Sequence, residues 1–168
     1  MSIAASILPE FEMEMANTRK TLERIPSDKF DYKPHEKSMT MIGLATHITN
    51  MIGWGTTTLM QDEFDVQPPG APPYKEEPAS SVASLLEKFD QGIVACRAAL
   101  VATSDEAMMK PWSLLSGGQA IFTQPRGGVF RGMILNHLIH HRAQLSVYLR
   151  MNDVPVPALY GPSADESI

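Results

Sequence analysis

"VFRGMILNHLIHHRAQLSVYLRMN", residues Val129 to Asn152, sets Phe130, Ile134, His137, His141, Leu145 and Tyr148 three or four positions apart. That spacing returns each side chain to the same side of a helical turn, so the segment reads as one long amphipathic helix. Two histidines occupy positions on its core-facing stripe where apolar residues belong. His140 projects about 100° away from His141 and falls at the rim.

Other segments repeat the pattern. From about Ser6 to Arg24, the residues Leu8, Phe11, Met15, Thr18 and Leu22 share a face, with Pro9 expected in the first turn and Pro26 beyond the end. From about Met41 to Gln61 the stripe is Leu44, His47, Ile48, Met51 and Trp54, behind a cap from Ser38 or Thr40. From about Val82 to Ala102, after Ser80 and Ser81, it is Val82, Leu85, Phe89, Ile93, Cys96 and Leu100. Cys96 is read as a small core residue.

The connections differ in kind. "DVQPPGAPPYKEEPAS" carries Pro68, Pro69, Pro72, Pro73 and Pro78, which cannot continue a helix or serve a central strand, so residues 62–81 read as an extended crossover. Residues 103–128, with Pro111, Trp112, Gly117, Gly118, Pro125, Gly127 and Gly128, read as a long ordered loop with at most a turn or two. Loops of this length in compact domains are often functional. No strand-like alternation matches the helical periodicity in strength. The sequence therefore predicts an all-α fold, a four-helix bundle with long crossover connections, as a single domain over residues 1–168. Trp54 and Trp112 are expected to fill gaps at the end of the bundle.

Composition narrows the function. A net charge of -5 without any Lys/Arg run argues against a nucleic-acid partner. A single cysteine rules out an internal disulfide framework, and "MSIAASILPEFEMEM" turns acidic where a signal peptide is basic and then apolar; a cytoplasmic location is expected. No window approaches the run of about 18 apolar residues that a membrane helix needs.

The chemistry lies in the histidines. His137 and His141, four positions apart, project about 40° apart around the helix and one turn along it, close enough to chelate one ion. Buried imidazoles cost free energy unless their nitrogens are bonded, and either a divalent cation or hydrogen bonds to other buried groups would satisfy them. His47 on its own is more often a satisfied core histidine than a ligand. Three histidines, each replacing an apolar residue on two different core stripes, fit one site better than separate accidents. Such a set supplies no negative charge and leaves a coordination position open, as reactive rather than structural metal sites do. Imidazole ligands suit Zn, Ni, Fe or Co. Asn50 and Gln144, each about one turn beyond a histidine, are candidates for hydrogen bonds to a ligand imidazole or the metal-bound species, though a solvated or rim polar role is the favoured reading of both. Arg142 is read as an exposed helix arginine, or else as a contact for an anionic substrate, and His35 as an exposed loop residue.

"LATHITNMIGW", "NHLIHHRAQLSVYLR" and "VPVPALYGPSADES" together resemble the DinB-like (YfiT-like) metal-dependent proteins, and the resemblance extends to "LPEFEMEMANTRKTLERIP" and "PWSLLSGGQAIF". The family usually carries "HHRGQ" where this chain has Ala143. The resemblance implies a four-helix bundle with crossover topology, frequent homodimers, and a divalent metal held by His47, His137 and His141. It also implies a small-molecule substrate. The wider superfamily includes S-transferases that use low-molecular-weight thiols such as bacillithiol or mycothiol, and a mycothiol-dependent isomerase. The expected function is thus a metal-dependent enzyme, foremost a thiol S-transferase that activates the thiol as thiolate. A hydrolase using metal-bound water is its nearest variant, and a non-catalytic metal- or ligand-binding bundle the alternative.

Overall fold

In the computed structural model, which describes residues 2–167, the chain is mostly helical with one small sheet. Its elements are α1 (Ile3–Leu22), a short 3-10 turn (Ser27–Lys29), α2 (Met41–Met60), β1 (Glu63–Asp65), α3 (Val82–Ala102) and α4 (Asp105–Met109). Strands β2 (Pro111–Ser116) and β3 (Gln119–Pro125) follow, and the chain ends in a helical run made of α5 (Arg126–Val129), a π-helical segment (Phe130–Asn136) and α6 (His137–Met151). No described helix is long and apolar enough to cross a membrane.

The expected stripes are the packed ones. Phe11, Met15 and Leu22 of α1, Leu44, Ile48 and Met51 of α2, and Leu85, Phe89 and Leu100 of α3 are buried in one core with Phe130, Ile134, Leu145 and Tyr148 of the last helical run. α1 and α2 each pack on both α3 and α6, so these two consecutive helices sit diagonally across the core. Cys96 is buried among them, and burial pushes its thiol up to about 12, which keeps it protonated and inert at neutral pH.

Local chemistry fixes the helix starts. Thr40 Oγ1 accepts from the Gly43 amide, and Ser81 Oγ from Ser84, satisfying donors that the first helical turn leaves free. α1 begins earlier than the sequence suggests, because Ser2 caps it through the Ala5 amide. Pro9 consequently lies inside α1 rather than in its first turn. Its missing N–H removes one helical hydrogen bond, and burial of Ala4, Ile7 and Phe11 on the core side offsets that loss.

The main departure from the expected fold is the sheet. Residues 103–128 are not a loop: they form α4 and the β2–β3 hairpin, and β1 from the crossover joins β2 in parallel, giving the order β1-β2-β3. Gly117 and Gly118 take φ of 61° and 77°, the left-handed values a tight hairpin turn requires. The Asp65 carboxylate accepts from both glycine amides, at 3.1 and 2.7 Å, and so ties the crossover to the turn. Arg126, 5% exposed, anchors the other end, donating to the Gln61 carbonyl at 2.9 Å and to Asp62 Oδ1 at 2.5 Å.

Candidate metal centre

α2 and α6 are neighbours, and their inward stripes carry His47 on one side and His137 and His141 on the other. One ligand atom from each of the three lies within 4.8 Å of the others. Ring centroids are separated by 5.5 Å for His47 and His137, 4.8 Å for His47 and His141, and 4.6 Å for His137 and His141. His140 is exposed and His35 lies on a surface turn, as expected.

The outer nitrogens of two of these rings are held. His47 Nδ1–H donates to Glu76 Oε2 at 2.9 Å, and His141 Nδ1–H donates to Gln144 Oε1 at 2.7 Å. Because both acceptors are oxygens without a proton to offer, the neutral form of each ring carries its lone pair on Nε2. His141 Nε2 and His137 Nε2 are 2.8 Å apart, and His137 Nδ1 is buried without a partner. Burial, reinforced by the neighbouring imidazoles, lowers the pKa of both His137 and His141, favouring the neutral, ligating form. Lone pairs that converge while carboxylate and amide groups hold the far side of the ring form the donor set a divalent cation requires, so these residues fit the group.

Glu76 escaped the sequence reading. It sits in the proline-rich crossover, which docks on α2 where the Ala79 amide donates to Thr46 Oγ1 at 2.9 Å. Tyr74 lies beside it, its hydroxyl 3.4 Å from Glu76 Oε1 and accepting from Trp54 Nε1 at 3.3 Å. Nothing in the periodicity marks Glu76; only the folded crossover brings it to His47.

Other candidates fall elsewhere. Gln144 does hold His141, whereas Asn50 turns to α3, where Lys88 Nζ donates to its Oδ1 at 2.6 Å. Arg142 is neither exposed nor available to a substrate. It is 1% exposed, and its guanidinium donates to the Glu14 carboxylate at 2.7 Å, to the Glu14 carbonyl and Thr18 Oγ1, each at 3.1 Å, and to the Tyr160 hydroxyl. Helix α6 turns this side toward α1, where the only way to bury a cation is to pair it. Trp54 and Trp112 do not merely fill gaps. Both line a cavity of about 400 Å³ that reaches from His47 and Glu76 to the underside of the sheet. A smaller recess of about 220 Å³ meets His141, Gln144 and Tyr148.

A three-histidine site set between helices of a mostly helical fold defines a protein built around a potential metal centre. The sequence profile of the DinB superfamily matches residues 10–145, and the chain belongs to that superfamily. Two solved structures share its fold. A DinB-like protein from Bacillus cereus ATCC 10987 has 20% sequence identity and a TM-score of 0.69, over 92% of this chain and 95% of its own. A DinB-like protein from Bacillus subtilis has 20% identity and a TM-score of 0.66, over 89% and 95%. Among curated proteins none matches the chain.

Proposed function

We propose that the four long helices form a DinB-type four-helix bundle whose purpose is to hold one divalent cation on His47, His137 and His141. We further propose that the protein is a thiol-dependent S-transferase. The observation that carries this reading is the convergence of three imidazoles whose outer nitrogens are held by Glu76 and Gln144 or buried. Bound there, a divalent cation would supply Lewis acidity, lowering the pKa of a thiol, or of water, that meets it.

The residues of the chain divide the remaining work. Glu76 and Gln144 fix the tautomer and orientation of their rings. The apolar cavity surrounds His47 with side chains of low polarity, while a recess lined by Ser38, Gln144 and Tyr148 reaches His141, with Met39 between the two. Two small molecules can therefore approach different histidines, which supports transfer between two substrates over hydrolysis of one.

The test is a panel of low-molecular-weight thiols, each offered with an apolar electrophile that releases a chromophore. Metal-dependent acceleration with at least one thiol is the expected result. Acceleration that needs metal but no thiol would favour the hydrolase. Stabilisation by metal without any turnover would favour a binding protein.

A further inference from the structure

We infer that the cavity of about 400 Å³ binds a small, uncharged, apolar molecule of aromatic character, with its reacting end at His47 and Glu76. The role of this molecule as co-substrate rests on the transferase reading above; its binding does not.

The sheet builds the wall. Phe64 of β1 is in register with Leu114 of β2, and Leu114 with Phe122 of β3, so one apolar row crosses all three strands and lines the cavity. Trp112 extends that surface, its ring 6.3 Å from that of Phe122. Met133 and Ile134 of the π-helical segment face it from the helical side. Polar groups gather at one end, where Trp54, Tyr74, Glu76 and His47 form a hydrogen-bonded and edge-stacked line with His47 and Trp54 centroids 5.2 Å apart. A pocket that is apolar along its length and polar at one end orients a ligand as well as holding it.

Size and charge narrow the ligand class. The volume lies toward the low end of the range of about 300–1,000 Å³ typical of drug-sized ligands. Among the described residues no lysine or arginine lines the cavity, whereas the Glu76 carboxylate does. In the metal-free protein an anionic ligand would lose its hydration there without gaining a counter-charge.

Both tryptophans of the chain stand in this wall, so energy transfer from them reports occupancy directly. Titration of the full-length, metal-free protein with N-phenylnaphthylamine, uncharged and apolar, should give saturable binding at one site per chain. Its sulfonated counterpart, anilinonaphthalene sulfonate, should bind about tenfold more weakly or worse. Leu114→Glu should weaken the uncharged probe by about tenfold or more while metal content and helical circular dichroism hold. If that variant unfolds, Thr57→Trp, which fills the cavity with an uncharged ring, decides instead and should displace the probe. His137→Ala separates the two proposals: lost metal with retained probe binding supports both, and retained metal sinks the metal centre while leaving the cavity standing. Absence of saturable binding to the native protein, or binding that neither cavity variant weakens, overturns the inference.

Discussion

His141 and Arg142 are adjacent in the chain, yet α6 turns them into two different polar regions. Arg142 faces α1, where it meets Glu14 and Thr18 and stacks under the Tyr160 ring with 5.3 Å to its centroid. The Tyr160 hydroxyl donates back to Glu14 Oε2 at 2.7 Å, so this network is closed on itself and draws the C-terminal tail onto the core. His141 faces α2, where it shares one 2.8 Å contact with His137 while His47 meets both rings edge-on, and His137 Nδ1 has no hydrogen-bond partner within normal distance. Both regions bury polar groups in a helical core. One satisfies them from within the chain; the other has donor capacity to spare. Polar groups that saturate one another specify a fold, whereas lone pairs that converge unsatisfied are available to a ligand.

Breaking the closed region should have the largest effect. Arg142→Leu leaves the Glu14 carboxylate buried and unpaired, and urea denaturation should show a loss of about 3–5 kcal/mol of stability. The folded fraction should still bind metal as before. Equal metal loss in folded protein would mean that the two regions are one.

A smaller effect is expected from loosening the open region at its outer edge. Glu76→Ala frees His47 Nδ1, and titration against a competing chelator should show cation affinity about 10–100-fold weaker, with little change in the stability of the metal-free protein. Glu76→Gln keeps an oxygen acceptor and should fall between that variant and the native protein. No change in either would reduce the Glu76 contact to a surface detail.

How far the sequence revealed these two regions follows from what periodicity can carry. Helical stripes were legible because Phe11, Ile48, Phe89 and Leu145 recur with their neighbours at helical spacing, and the three histidines were legible as interruptions of those stripes. Arg142 was misread because its partner Glu14 lies on another helix, and one helix's pattern does not reveal what faces it. The sheet was missed for a different reason. β1 spans only Glu63–Asp65 and β2 mixes Ser113 and Leu115 with Trp112 and Leu114, so alternation is weak, although the Gly117–Gly118 pair between β2 and β3 is itself a hairpin signal. Glu76 reaches His47 only through the docking of a proline-rich crossover, which no repeat encodes. The same limit hid the π-helical segment, since Phe130–Asn136 keeps an apolar spacing that an α-helix would also satisfy.

The smallest effect concerns pH. Burial lowers the pKa of His137 and His141 in the folded chain, so the unfolded state binds more protons as pH falls below about 6.5. The metal-free protein should therefore lose stability as pH drops from about 6.5 toward the lowered values, and level off once both states are protonated. Thermal melts of metal-free protein should show this modest decline, and it should shrink in a His137→Phe/His141→Leu double variant. An unchanged profile in that variant would place the acid sensitivity elsewhere.

If the histidines of α2 and α6 form one metal centre, elemental analysis of untagged protein purified without metal columns will show it. About one divalent ion per chain is expected in the native protein, retained in His140→Ala and lost in each of His47→Ala, His137→Ala and His141→Ala. A native protein without metal, or an ion retained after any one of the three single substitutions, would overturn the three-histidine centre.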